Sequence, residues 1–116
     1  MKSLNFNHTK YTMFKRSVRF LYQRLTRGWD DTETWNLDAR LSEHIIPRLK
    51  RFKEVNQCYP PDLTPETWDI VIDKMIFSFE WTASPCEDRI MMDDKNSAKV
   101  REGLDLFAKY FQHLWW

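Results

Sequence analysis

At 116 residues, with 18 Lys and Arg against 17 Asp and Glu and a net charge of +1, the chain has the size of one domain that buries a core without metal or disulfide staples. Two glycines, five prolines and 16% aromatic residues, six tryptophans among them, exclude a disordered or low-complexity chain, because such chains are poor in aromatics. No apolar run reaches the about 18 residues of a membrane span, and the polar start Met1–Lys10 has no signal-peptide pattern, so a cytosolic protein with no membrane partner is expected.

The near-neutral total hides an asymmetry. Residues 1–29 carry Lys2, Lys10, Lys15, Arg16, Arg19, Arg24 and Arg27 and no acid, leaving 11 basic and 17 acidic residues elsewhere. A first helix is predicted over about 9–27, where Tyr11, Phe14, Val18, Leu21, Tyr22 and Leu25 recur at helical spacing and form the expected core side. Gly28 is the expected stop. The opposite half, with Lys15, Arg16, Arg19, Arg24 and Arg27 around Met13 and Phe20, reads in two ways. It is a solvated basic face, or it is a surface for nucleic acid, a nucleotide or an acidic partner. The basic end can equally dock on the chain's own acidic body.

WDDTETWNLD at 29–38 opens a second helix, with Asp30, Asp31 or Thr32 as candidate caps and Glu33 in the first turn. Leu37, Leu41, Ile45, Leu49 and Phe52 carry it to about 55, and Pro47 removes one backbone bond, which predicts a kink. Residues 57–63, QCYPPDL, form a proline-stiffened connection. A third helix then starts at Thr64, followed by Pro65 and Glu66, because a threonine caps, proline suits the first turn, and an acid favours the positive dipole end.

Two apolar strips predict that this third helix is central: Trp68, Ile72, Met75 and Phe79 on one side, and Ile70, Phe77 and Trp81 on another. Asp69, Asp73 and Glu80 run between the strips. Arg48 sits in the middle of the second helix's apolar face, with His44 and Asp38 near its edges. Antiparallel pairing of the two helices therefore predicts a buried charge layer of Asp38, His44, Arg48, Asp69, Asp73 and Glu80, either structural or shared with a ligand. Residues 84–96 are ambiguous between loop and short helix, since Pro85 interrupts them. From about 97, Val100, Leu104, Phe107, Phe111 and Leu114 make a fourth helical stripe, beside which Gly103 permits a close crossing. Trp115 and Trp116 are expected either to pack back or to contact a partner.

These segments predict an all-α fold: a single helical domain over 1–116, built as a bundle of about four helices. Cys58 and Cys86 make neither a CxxC pair nor a Cys/His cluster, so reduced thiols are expected and neither metal nor cofactor is implied. His8, His44 and His113 are scattered.

Four blocks, GWDDTETWNLD, IIPRLKRF, LTPETWDIVIDKMIFSFE and EGLDLFAKYFQHLWW, together resemble a family of small uncharacterised proteins of tailed bacteriophages, over roughly residue 27 to the C-terminus. The resemblance implies a phage product in a bacterial host cytoplasm and implies no activity. The expected function is a non-enzymatic accessory protein that modulates or inhibits a host or defence component. Its expected ligand is a protein or a small anionic nucleotide, bound through Lys15, Arg16, Arg19, Phe20, Arg24 and Arg27 with Trp115 and Trp116. Two alternatives stay open. One is nucleic-acid binding through the first helix, although no recognised nucleic-acid motif is present. The other is a metal-dependent hydrolase using Asp69, Asp73 and Glu80, although a partner helix with ExxE-like spacing is missing. Homo-oligomerisation is also left open.

Overall fold

The computed structural model describes residues 6–85 and 94–116. Helical periodicity is realised throughout them, as α1 (Phe6–Arg27), a 3₁₀ turn (Asp31–Thr34), α2 (Leu37–Val55), α3 (Pro65–Ala83), α4 (Asp94–Tyr110) and a last 3₁₀ turn (Phe111–His113). No strand occurs among the described residues, so the fold is all-α. No described helix is long and apolar enough to cross a membrane. The chain divides into two compact units, Met1–Leu37 and Asp38–Trp116, where the sequence pattern had predicted one bundle. Cys86 and most of the ambiguous 84–96 stretch lie outside the described residues.

In the larger unit α3 is the centre, and its start shows why. The Thr64 hydroxyl accepts from the Thr67 N–H (3.2 Å) while the Thr67 hydroxyl accepts from the Thr64 N–H (2.7 Å), so two otherwise orphaned amides are satisfied reciprocally. Trp68, Val71, Ile72, Met75 and Ile76 are buried. Each such side chain stabilises the unit by roughly 1.5–3 kcal/mol through loss of apolar surface to water. From α2, Leu49 joins this core and Phe52 meets the Trp68 ring edge-on at 6.4 Å.

The α3–α4 crossing is tighter. A Cβ on Gly103 would lie 1.9 Å from the Ser78 Oγ and 2.2 Å from the Lys74 carbonyl oxygen, so only glycine admits this approach. Ser78 exploits it by donating to the Val100 carbonyl across the crossing (2.8 Å). Further along, Phe79 packs edge-on against Phe107 at 4.9 Å, and Tyr110 against Trp68 at 5.6 Å. The Tyr110 hydroxyl then donates to Asp62 Oδ2 (2.9 Å), tying the end of α4 to the loop before α3.

The inward line of α4 is Gly103, Leu106, Phe107, Tyr110 and, beyond the helix, Leu114. This differs from the expected stripe by about one residue: Leu104 and Phe111 are exposed. The glycine notch sets the contact line, and residues one step from it rotate away. On α3, Ile70 is likewise exposed, while Phe77 and Trp81 are half-buried.

The smaller unit reverses the expectation for α1. Phe14, Val18, Leu21, Tyr22 and Leu25, read as the core side, are 49–77% exposed, and the side chain of Tyr11 lies outside the described residues. What α1 packs on within its unit is the turn that follows Gly28. That glycine takes φ +85°, the left-handed conformation that ends helices, and sends the chain back along the arginine side.

Candidate functional site

Cations spaced along one side of α1 converge on two carboxylates in that turn. Arg19 and Arg27 reach the two oxygens of Asp31, each at 2.7 Å. Gln23 donates to Asp31 Oδ2 (2.8 Å) and accepts from the Asp31 N–H (2.8 Å). Arg24 binds Asp30 at 2.5 Å. Asp30 is only 4% exposed and also caps the 3₁₀ turn, accepting from the Thr32 N–H (2.9 Å) and the Thr32 hydroxyl, while Glu33 returns a bond to the Asp30 N–H (3.1 Å). The acids of WDDTE therefore do cap, but they cap a separate short turn, and α2 begins only at Leu37.

Hydrogen bonds from Arg19 first, then from Gln23 and Arg27, hold the Asp31 carboxyl far below the ordinary carboxylate range. The Thr32 hydroxyl and then Arg24 lower Asp30. Two rings complete the cluster. The Arg27 guanidinium lies 3.7 Å from the Trp29 ring centre, and Trp35 is flanked by Arg16 at 5.8 Å and by Phe20, edge-on, at 5.9 Å.

Five of the six predicted α1 residues, Arg16, Arg19, Phe20, Arg24 and Arg27, are thus brought together, and their partners are the chain's own. Lys15 is exposed and, like Arg16, has no carboxylate partner among the described residues. Gln23, Trp29, Asp30, Asp31 and Trp35 are the members that periodicity missed. The available signal was two adjacent aspartates just beyond a helix-ending glycine, close enough to fold back on the arginines. The carboxylates of Asp30 and Asp31 thus take up donors of Arg19, Arg24 and Arg27 within the chain itself.

The predicted buried charge layer is not buried. Asp38, His44, Arg48, Asp69, Asp73 and Glu80 are all exposed. The antiparallel pairing of α2 and α3 does bring charges together, but the cations are lysines: Lys53 binds Asp73 (2.8 Å) and Lys50 binds Glu80 (2.9 Å). Lys50, Lys53 and Asp73 border an open groove of about 450 Å³ lined also by Asp69. The bond to Asp73 raises the Lys53 pKa, with a smaller contribution from Asp69. Arg48 instead turns back on its own helix and donates to the His44 carbonyl (2.7 Å), next to the backbone bond that Pro47 leaves unmade. Asp38 Oδ1 accepts from the Ala39 N–H (2.8 Å). Long side chains at the edge of a two-helix contact reach one another in water, so no charge has to be desolvated.

Among the described residues no group of three or more His, Cys, Asp or Glu side chains is placed to hold a metal ion. Asp73 and Glu80, two of the three acids in the hydrolase alternative, are instead held by lysines. Trp115 and Trp116, in the larger unit, are 65% and 70% exposed, so the tail does not pack back.

No protein-family model, curated protein or solved structure matches the chain.

Proposed function

We propose that this chain is a phage-encoded accessory protein that acts by binding, modulating or inhibiting a host or defence component in the bacterial cytoplasm. One observation carries the reading. Four of the six tryptophans, Trp29, Trp35, Trp115 and Trp116, lie at the surface. A protein gains nothing in folding from exposing its largest apolar side chains, whereas tryptophan is the residue most enriched where binding energy concentrates. The four sequence blocks that resemble tailed-phage proteins support the origin.

A small anionic nucleotide remains the second reading, supported by Arg16 beside Trp35 and Arg27 stacked on Trp29. Such a ligand must displace Asp30 or Asp31 from the arginines, so its phosphate competes with a carboxylate already in place. Extended nucleic acid faces the same competition, with fewer available cations than the sequence suggests.

Affinity capture from host lysate, with bound proteins and small molecules identified by mass spectrometry, tests the proposal. A stoichiometric partner is expected, and its capture should fall on changing the exposed tryptophans to alanine. Capture of no protein or small molecule, together with hydrolysis of a test substrate panel, would overturn it.

A further inference from the structure

Among the described residues of its own unit, nothing packs on the face of α1 that was expected to be core. Phe14, Val18, Leu21 and Leu25 follow one another at intervals of four, three and four residues, with Tyr22 alongside. That is the spacing of a two-helix seam, in which successive apolar side chains alternate a and d positions. The arginine side of the helix is already occupied by Asp30 and Asp31, so within Met1–Leu37 the described turn covers that side and not the seam. The five side chains of the seam are each 49–77% exposed and form one contiguous apolar ridge, the kind of patch that is often functional.

Charge selects the occupant. Lys15 borders the ridge on one edge and Arg24, bonded to Asp30 yet with its side chain 51% exposed, on the other, and no acid occurs anywhere in α1. The whole unit, Met1–Leu37, has seven basic residues against Asp30, Asp31 and Glu33, a net +4. A second copy of the same helix, in either direction, brings no acid to either edge. A lipid surface would draw the arginines toward headgroups, yet Arg19 and Arg27 are both turned to the carboxylate of Asp31. A helix with its own apolar stripe and acidic edges satisfies both the ridge and its borders.

We infer that the exposed apolar face of α1 is a docking seam for an amphipathic helix with acidic flanks on a partner protein. The inference rests on the binding role proposed above and names the partner's chemistry.

The test uses the full chain and a synthetic helical peptide of about three heptads, with leucine at a and d and glutamate at e and g. Labelled peptide is titrated and followed by fluorescence anisotropy. Wild type is expected to bind, and the double variant Val18→Asp/Leu21→Asp to bind about 30-fold more weakly, the effect of losing a binding hot spot. The same peptide with lysine at e and g should also lose most of its affinity.

Equal binding of both peptides would overturn the inference. So would a dimer, seen by light scattering, that the double variant abolishes, since the seam would then bind its own copy. A large fall in the variant's melting temperature would show the ridge buried within the chain, and variant-sensitive binding to phosphatidylglycerol vesicles would show a lipid surface. Lysate capture that survives the double variant would refute the seam while leaving the binding role intact.

Discussion

The two units solve the same problem in opposite ways. In Asp38–Trp116, α3 has apolar residues around much of its circumference and both α2 and α4 supply apolar side chains to cover it, so charge is left at the rim as the Lys53–Asp73 and Lys50–Glu80 pairs. In Met1–Leu37 the only described segment that folds back on α1 is short, polar and acidic. The arginine face is therefore the one that is held, and the apolar ridge goes uncovered. An amphipathic pattern says that a helix has two faces; what the chain presents opposite decides which face turns inward.

The largest expected effect breaks the apolar half of this comparison. Gly103→Ala drives a Cβ into the Lys74 carbonyl and the Ser78 side chain, forcing α3 and α4 apart, and should destabilise the larger unit by about 3 kcal/mol in chemical denaturation. Adding Ser78→Gly should recover only part of that loss, because the backbone carbonyl stays in the way. A fully stable Gly103→Ala protein would mean that the crossing is looser than drawn.

A smaller effect, confined to the other unit, sharpens the electrostatic half. Asp30 and Asp31 have folded-state pKa values below the ordinary 3.8. Their stabilisation is complete above that value and is lost as the pH falls below it toward the depressed values. Acidification from pH 5 should therefore loosen the 31–34 turn before the α3 core, visible as amide exchange in that turn, and Asp31→Asn should remove most of this pH dependence. Simultaneous loss of both units would contradict the division.

The smallest effect concerns Arg48. Its guanidinium is exposed and, among the described residues, bonds only to a carbonyl of its own helix, so Arg48→Met should change stability by less than about 0.5 kcal/mol. A loss near 4 kcal/mol, the usual result of stranding a buried carboxylate, would restore the charge layer expected from the sequence.

Much of the fold was legible because it rests on local rules. The Thr64 cap, the Gly28 stop and the Trp68–Ile72–Met75 strip each follow from residues within one or two turns. The surface chemistry was less legible because it depends on reach. Lys50 and Lys53 outcompete Arg48 for the acids of α3 since their flexible stems extend from the edge of the contact, and helical phase cannot show that. Likewise Asp30 and Asp31 look like caps at every local level. Their bonds to Arg19, Arg24 and Arg27 appear only once Gly28 has turned the chain.

The bond from Tyr110 to Asp62 closes a loop of 48 residues, and with it comes an order of events during synthesis. α3 leaves the ribosome with its α4-facing side bare. Translation from Ala83 to Tyr110 at about 5–20 residues per second occupies on the order of 1–5 s. For that interval Phe79 lacks the Phe107 ring that packs on it and Trp68 lacks Tyr110. The nascent chain is then most exposed to chaperones and to mispairing, and the arrival of Tyr110 ends that period by locking α4 across the helix it completes.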